Sequence, residues 1–233
     1  MRDNATVPAP LDRKLLDIYD WLLRRYGPQY WWPGDGAFEV IVGAILTQAT
    51  SWGGVDKALI NLKVRGLLEP AALRIVDQEE LASLIKPSVY FNVKAQKLKA
   101  FVQYLWEHYN DDLGALLKRE SHQLRQELLS VYGIGEETAD DILLYAAGKP
   151  IFVIDAYTRR ILSRLGFAST QDTYGSYQTI FMNNLPHDTS LFNEYHALLD
   201  RHAAETCLKK KPVCGECCLL DICPTGAGVI AGE

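Results

Sequence analysis

The five cysteines of this chain all lie in one short segment near its end, and none precedes them. Four of them follow the spacing Cys207-x6-Cys214-x2-Cys217-x5-Cys223, which leaves Cys218 over. Four thiolates in one compact loop can hold a tetrahedral zinc ion or an iron–sulfur cluster. Structural zinc sites usually pair their ligands as two close couples, whereas the outer gaps here are six and five residues, so the spacing favours the cluster.

A run of three lysines, Lys209, Lys210 and Lys211, occupies the longest gap between these cysteines. Such a run is most often no more than a solvated loop. Here a bound metal group would fix both ends of the loop and hold the ammonium groups in place, as contacts to nucleic-acid phosphates require.

A glycine-rich turn separates two helical patterns in the middle of the chain. The first helix ends at Val131, the turn contains Gly133, Ile134 and Gly135, and a second helix begins near Thr138. Glycines allow positive φ angles and close approach of a phosphate, and a helix start presents unpaired N–H groups. This is a helix-hairpin-helix pattern over about residues 122–147, and it predicts a sequence-independent contact with one DNA strand. An ordinary helical hairpin is the alternative.

One acidic residue, Asp155, follows the hairpin at the start of another helix. The loop Gly148-Lys149-Pro150 and the apolar segment Ile151 to Ile154 lead to it. An aspartate at a helix start is most often an N-cap. The order hairpin, Gly/Pro loop, apolar segment and aspartate favours a functional carboxylate instead.

Helical periodicity dominates the elements that must position these residues. Only Ile151 to Ile154 reads as extended, and it is too short to found a sheet, so the sequence predicts an all-α fold. The helical patterns run over about Leu11 to Tyr26, Phe38 to Thr47, Val55 to Lys63, Asp77 to Leu84, Val93 to Tyr109, Leu113 to Leu117, His122 to Val131, Thr138 to Ala147, Tyr157 to Leu165, Thr173 to Asn184 and Leu191 to Ala204.

Two helical lobes with a cleft between them are the expected organisation. Residues 1–37 would form an N-terminal helix and aromatic loop that pack on the C-terminal lobe. Residues 38–150 would form the lobe with the hairpin, and residues 151–233 the lobe with Asp155 and the cysteine loop, 207–223.

The composition is that of a folded protein, with 233 residues, 48% hydrophobic and 23% charged. It excludes disorder and a small disulfide-stapled scaffold. The net charge of −5 gives no overall sign of nucleic-acid binding. The start of the chain lacks the features of a signal peptide, and no apolar run approaches the roughly 18 residues of a membrane helix. We therefore expect a cytoplasmic protein with no membrane contact.

The hairpin, the loop that leads to Asp155 and the cysteine spacing together resemble the helix-hairpin-helix (HhH-GPD) DNA glycosylases of the endonuclease III family, over about residues 38–224. The resemblance implies a [4Fe-4S] cluster on Cys207, Cys214, Cys217 and Cys223, with Asp155 as the essential carboxylate. It also implies a nucleoid-associated monomer whose partner is double-stranded DNA containing a damaged base.

Two earlier segments share this resemblance. Leu46-Thr47-Gln48-Ala49-Thr50 resembles the glutamine-bearing helix end of the family, and the segment from Tyr90 to Ala95 resembles its second DNA-contacting turn. By that likeness Gln48 fills the gap left by a flipped nucleotide, and Tyr90 wedges into the opposite strand. The alternatives are that Gln48 caps its helix and that Tyr90 packs in the core.

Glu137 departs from the pattern of the bifunctional members, which place a lysine immediately before the hairpin threonine. A carboxylate cannot form an imine, so the lysine-dependent strand-cleaving route should be absent. The adenine-mismatch branch carries an acidic residue where this chain has Ala44, and an additional C-terminal domain that we do not expect here.

The aromatic segment Trp31-Trp32-Pro33 and the following Phe38 resemble the 3-methyladenine glycosylase subgroup. Trp31, Trp32 and Phe38 would form a base pocket, or the two tryptophans would be a buried lid on the core. The sequence thus predicts a monofunctional glycosylase for alkylated purines such as 3-methyladenine. The alternatives are a glycosylase for oxidised pyrimidines or mismatched thymine or uracil, and a non-catalytic iron–sulfur DNA-binding protein.

Overall fold

The structure is a computed structural model that describes residues 10–32 and 34–232. Pro33, which belongs to the aromatic segment Trp31-Trp32-Pro33, lies outside the described residues. Helices account for the regular structure, and no β-strand occurs in the described ranges, so the predicted all-α fold is confirmed. None of the helices in these ranges combines the length and apolarity needed to cross a membrane.

The chain forms two compact units. The first joins the N-terminal stretch as far as Trp31 to the chain from Phe152 onward, and the second comprises Trp32–Ile151.

Several helices of the second unit share its core, and two of them, the apolar α2 (Ala37–Thr47) and the 19-residue α6 (Phe91–Tyr109), pack against each other. Helix α2 is apolar on almost every face, and Ile41, Val42 and Ile45 are fully buried in it. Its partner α6 buries Leu98, Phe101 and other residues on one stripe. The helices are α2 (Ala37–Thr47), α3 (Trp52–Val64), α4 (Pro70–Ile75), α5 (Gln78–Leu84), α6 (Phe91–Tyr109), α7 (Leu113–Leu117), α8 (Ser121–Ser130) and α9 (Glu136–Asp141), with a 3-10 turn at Lys86–Ser88 and a π-helical turn at Ile142–Ala146.

The first unit packs the N-terminal helix on the longest C-terminal helix. Its helices are α1 (Leu11–Tyr26), α10 (Ala156–Arg164), α11 (Tyr174–Met182), α12 (Thr189–Glu205) and α13 (Pro224–Ala231), with 3-10 turns at Cys214–Glu216 and Leu220–Ile222. Apolar residues of α1 recur at helical spacing and are buried, and the Tyr195 hydroxyl of α12 donates to the Leu15 carbonyl at 2.8 Å. Gly27, with φ of 69°, ends α1.

A stacked aromatic cluster fixes the extended segment that leads to Asp155. The side chains of Phe152, Val153 and Ile154 are buried. The Phe152 ring stacks on Phe181, with ring centroids 3.6 Å apart and an interplanar angle of 3°. The Ile154 amide donates to the Tyr174 hydroxyl at 3.2 Å. Since these groups hold both backbone and side chains, the segment is a rigid mount for the residue that follows it.

Candidate active site and DNA interface

The hairpin lies between α8 and α9, where the sequence predicts it. Gly133 has a φ of 84°, whereas Gly135 has extended backbone that any residue adopts. Ile134 is 5% exposed and belongs to the core of the second unit. The two glycines are therefore not equivalent, because only the first needs the left-handed conformation.

A close approach adds to the requirement at Gly133. A Cβ atom there would lie 2.3 Å from Cγ of Lys97, whereas nothing lies within 4 Å of a Cβ at Gly135. We expect Gly133→Ala to destabilise the fold by about 1–2 kcal/mol, since alanine must hold a left-handed backbone and displace the lysine. Gly135→Ser, which supplies a better N-cap, should leave the free energy of unfolding unchanged or slightly raised. Urea unfolding of the two variants tests this, and equal stabilities would contradict it.

Gln48 ends α2, and its carboxamide is held against the hairpin. Its Nε2 donates to the Gly133 carbonyl at 3.0 Å and to the Thr138 hydroxyl at 2.9 Å. Its Oε1 accepts a hydrogen bond from Nζ of Lys97. The side chain thus links the end of α2 to both the turn and the second helix of the hairpin, and it makes no hydrogen bond to its own helix.

Tyr90 stands on a strained, solvent-exposed turn that precedes α6. Val89 and Tyr90 both have positive φ, 58° and 47°, and their exposed fractions are 51% and 66%. Left-handed backbone is costly for bulky side chains and persists where the surroundings impose it. The alternative that Tyr90 packs in the core is excluded, because the ring is exposed.

Lys94, on the first turns of α6, is a buried cation beneath these two segments. It is 2% exposed, and its Nζ donates to the Leu46 carbonyl at 2.7 Å, the Thr50 hydroxyl at 2.6 Å and the Ser88 carbonyl at 2.5 Å. Burial, with a smaller effect from the nearby Lys97, lowers the pKa of Lys94 to about 8. One ammonium group therefore contacts both the Gln48 and the Tyr90 segments.

Asp155 is the N-cap of α10, as its position in the sequence suggests. Its Oδ1 accepts a hydrogen bond from the Thr158 amide at 2.7 Å, and its side chain is 16% exposed. Nε2 of His196, a buried residue of α12, lies 4.0 Å from the same oxygen. Burial lowers the pKa of His196 and the Asp155 charge opposes this shift. The arrangement presents one ordered carboxylate, with its second oxygen outside the capping bond.

Glu137 is exposed in the first turn of α9, next to Glu136. Glu136 lies 3.6 Å from Arg125, whose guanidinium makes a two-point contact with buried Asp140 at 2.6 and 3.2 Å. The position that the resemblance assigns to a lyase lysine therefore carries a negative side chain at the surface of the second unit.

The predicted base-pocket aromatics have three different surroundings. Trp32 packs edge-on against Trp52, with ring centroids 5.3 Å apart, and tilts against Tyr145 at 5.1 Å. Phe38 is 7% exposed and belongs to the core of the second unit. Trp31 is half-buried and belongs to the first unit.

The four spaced cysteines surround one small cavity in the first unit. They line it together with Arg164, Thr206, Pro212, Leu220, Thr225 and Gly226, and Cys218 does not line it. Three of the sulfur atoms accept N–H hydrogen bonds. Arg164 Nη1 donates to Cys207 at 3.1 Å, the Leu219 amide to Cys217 at 3.4 Å, and the Gly226 amide to Cys223 at 3.3 Å.

Arg164 also fixes the course of the lysine run beside this cavity. Its guanidinium donates to the carbonyls of Leu208 at 2.8 Å and Lys209 at 3.2 Å. Lys209, Lys210 and Lys211 are all exposed.

Within residues 10–32 and 34–232, no three His, Cys, Asp or Glu side chains are gathered so that they could hold a single metal ion.

Comparison with known protein families decides the assignment. The model of the "HhH-GPD superfamily base excision DNA repair protein" matches residues 42–187, which include the hairpin and Asp155. The chain belongs to the HhH-GPD superfamily. It is a base excision DNA glycosylase, and the resemblance that the hairpin and the aspartate carry in the sequence is confirmed.

Named relatives of this glycosylase extend over most of its length. The Methanocaldococcus jannaschii protein "Putative DNA repair glycosylase MJ1434" is 44% identical over 207 residues, which are 88% of this chain and 94% of that protein. Endonuclease III of Sulfolobus acidocaldarius is 28% identical over 187 residues, 80% of this chain and 81% of that enzyme.

Solved structures show the same fold. An endonuclease III–DNA complex aligns with a TM-score of 0.82 at 21% identity, over 94% of this chain and 98% of that one. An H. pylori 3-methyladenine DNA glycosylase bound to 1,N6-ethenoadenine aligns with a TM-score of 0.73 at 26% identity, over 84% and 98%.

Three residues of the glycosylase that bear on the site carry no local sequence signal. Lys94 and Lys97 lie in a helix rich in lysine, where charged residues are usually solvated. His196 lies on α12, 41 positions after the aspartate it approaches. Only long-range packing brings Lys94 and Lys97 to the Gln48 segment and His196 to Asp155.

Proposed function

We propose that this protein is a monofunctional DNA glycosylase that removes alkylated purines, such as 3-methyladenine, from double-stranded DNA. Two features of the chain carry the proposal. Asp155 is an ordered carboxylate at the end of a buried extended segment, and Glu137 occupies the position where the bifunctional members have a lysine. The chain then has the group that stabilises a developing cation and lacks the amine that would attack it.

Asp155 supplies the electrostatic part of this mechanism. As the bond between C1′ and the base breaks, the electron pair leaves with the base and positive charge develops on the sugar. A preorganised anion stabilises that charge, and it can orient a water molecule and accept its proton as oxygen bonds to C1′. The Thr158 amide fixes the carboxylate before the substrate arrives, so little reorganisation is needed.

An alkylated purine suits a site with one such carboxylate. A base such as 3-methyladenine is already cationic and leaves as a neutral molecule, so no general acid is required. Selection can then depend on stacking, which is worth roughly 1–3 kcal/mol per base. The cluster of Trp32, Trp52 and Tyr145 offers aromatic surface for this, and Trp31 and Phe38 are the further proposed members of the base pocket.

Base removal also requires extrusion of the nucleotide from the duplex. We assign Gln48 to the vacated space and exposed Tyr90 to the opposite strand. The amides of Gly133, Gly135 and Thr138 would contact backbone phosphates, as would Lys209, Lys210 and Lys211. The net charge of −5 does not conflict with this, because backbone amides and one local lysine run make the contacts.

The cysteine cavity fits a [4Fe-4S] cluster held by Cys207, Cys214, Cys217 and Cys223. Thiolates alone ligate such clusters, and N–H donors to the sulfur atoms are the usual surroundings that stabilise their negative charge. When bound, the cluster would cross-link the C-terminal loop. Base removal requires no electron transfer, so the cluster needs no redox function for this reaction. The fixed loop would hold the three lysines outward.

A pair of neighbouring cysteines tests this assignment. We expect Cys217→Ser to lose the brown colour and broad visible absorbance of an iron–sulfur protein, because one ligand is missing. Cys218→Ser changes the adjacent residue, which does not line the cavity, and should retain both colour and iron content. A colourless wild-type protein that contains zinc would contradict the assignment.

A base-release assay across a panel of lesions tests the proposed function. The expected result is release of 3-methyladenine or other alkylated purines from methylated duplex DNA. Release of oxidised pyrimidines, or of mismatched thymine or uracil, would replace the substrate class. DNA binding with no release from any lesion would favour the non-catalytic alternative.

A further inference from the structure

We propose that Lys94 is a positioning residue that holds the two DNA-inserting turns at a fixed separation. The Gln48 turn is defined as residues 48–51, and the Tyr90 turn as residues 86–90. The inference rests on the proposed entry of Gln48 and Tyr90 into the duplex, and it adds the element that sets the distance between them.

The contacts of the ammonium group reach the base of both turns. Nζ donates to the Leu46 carbonyl just before Gln48 and to the Thr50 hydroxyl just after it. It donates to the Ser88 carbonyl two residues before Tyr90. The Thr50 hydroxyl in turn donates to the same Ser88 carbonyl, so the three acceptors form one connected network.

The backbone of both turns is held in a conformation that needs such support. Ala49 has a φ of 53°, and Val89 and Tyr90 are also left-handed. The turns also touch directly through the hydrogen bond from Thr50 to Ser88. Helix α3, which follows the Gln48 turn, packs close to the Tyr90 turn, since a Cβ at Gly54 would lie only 2.6 Å from the Pro87 carbonyl oxygen. Non-glycine residues in this conformation persist only where surrounding contacts impose it.

A charge at this position is expensive for the fold. Lys94 is 2% exposed, its three hydrogen-bond acceptors are uncharged, and the charged group that acts on it is the like-charged Lys97. A buried charge without an opposite charge usually costs more than an apolar side chain of similar size. Carbonyls and a hydroxyl compensate this cost only in part. The gain that explains the ammonium is geometric, because its three N–H donors fix the end of α2 at Leu46, the Gln48 turn at Thr50 and the Tyr90 turn at Ser88.

Lys99 offers a matched control on the same helix. Its Nζ donates to the carbonyls of Arg74 at 2.9 Å and of Val76, at the end of α4, and neither residue belongs to the two turns. Burial lowers the pKa of Lys99 as it does that of Lys94. The variants Lys94→Met and Lys99→Met therefore each remove one partly or fully buried ammonium that binds backbone carbonyls, and only the first should affect DNA insertion.

The experiment compares base release from two forms of one methylated oligonucleotide, duplex and single-stranded. Lys94→Met should release base from the duplex about 10- to 100-fold more slowly than wild type, because a misplacement of about 1 Å can cost 10²-fold. The loss should nearly vanish on the single strand, where no base pair has to be opened. Lys99→Met should resemble wild type on both. Equal effects of the two substitutions, or an equal loss on both DNA forms, would overturn the inference.

A binding measurement keeps this test separate from that of the proposed function. A duplex with 2-aminopurine beside an abasic-site analogue reports unstacking by fluorescence without any chemistry. Wild type and Lys99→Met should raise the fluorescence and Lys94→Met should not, even if the protein releases no alkylated base. Thr50→Val, which removes one of the three acceptors and keeps the side-chain volume, should show a partial loss and serves if Lys94→Met does not fold. A fluorescence increase equal to that of the wild type from both Lys94→Met and Thr50→Val would overturn the inference.

Discussion

Asp155→Asn is expected to reduce base release by about 10²- to 10³-fold, the usual effect of removing one preorganised electrostatic contact in a transition state. Asparagine has nearly the shape of aspartate and is an equally good N-cap, so α10 should keep its start. The substitution removes the negative charge that would face the developing sugar cation. Single-turnover release of alkylated base from duplex DNA measures the effect.

A second capping aspartate in the same unit provides the control. Asp188 caps α12 through a hydrogen bond from the Leu191 amide to its Oδ1 at 2.7 Å, with the same three-residue spacing and the same distance as at Asp155. Asp188→Asn should therefore match Asp155→Asn in thermal stability and retain the activity of the wild type. If Asp155→Asn stays fully active on every substrate, Asp155 is only a cap, and the proposed mechanism fails.

The helices that bury one regular stripe are the ones that sequence patterns locate well. The bounds predicted for α1 coincide with those observed, because Leu15, Ile18 and Leu22 mark its buried face. The short helices α4 and α13 are absent from the predicted set. Proline at the start of α4 looks like a helix breaker but occupies the first helical position, where its missing N–H costs nothing. Helix α13 contains Gly226 and Gly228, which weaken any helical signal.

At the site, the sequence could identify groups but not their partners. Asp155, the hairpin and the spaced cysteines stand out because each has a local pattern. Gln48 is recognisable by resemblance, yet its hydrogen-bond partners in the hairpin, Gly133 and Thr138, lie 85 and 90 positions away. Lys94 shows this limit most clearly, since a lysine in a helix gives no sign that it will be buried and hydrogen-bonded to Leu46 and Thr50, which lie 48 and 44 positions away.

Glu137→Lys is expected to create a covalent intermediate that borohydride can trap, whereas the wild-type protein should give none. The Nζ lone pair would attack C1′ as the bond to the base breaks and the electron pair leaves with the base. Loss of protons and opening of the sugar would give an imine, which hydride from borohydride reduces to a stable amine between protein and DNA. Glu137 is exposed, so the substitution needs no repacking, and an added positive charge at the helix start costs about 0.3–1 kcal/mol.

Glu137→Gln is the matched control, because it removes the negative charge without supplying a nucleophile. It should relieve repulsion of the DNA backbone and bind duplex DNA at least as well as wild type, and it should form no adduct. Trapping is read as a protein–DNA band that survives denaturing electrophoresis. An adduct with the wild type would show that another lysine already reaches C1′ and would refute the monofunctional assignment. Failure of Glu137→Lys alone, with base release intact, would instead mean that residue 137 does not face the sugar, so the absence of a lysine there would no longer explain the chemistry.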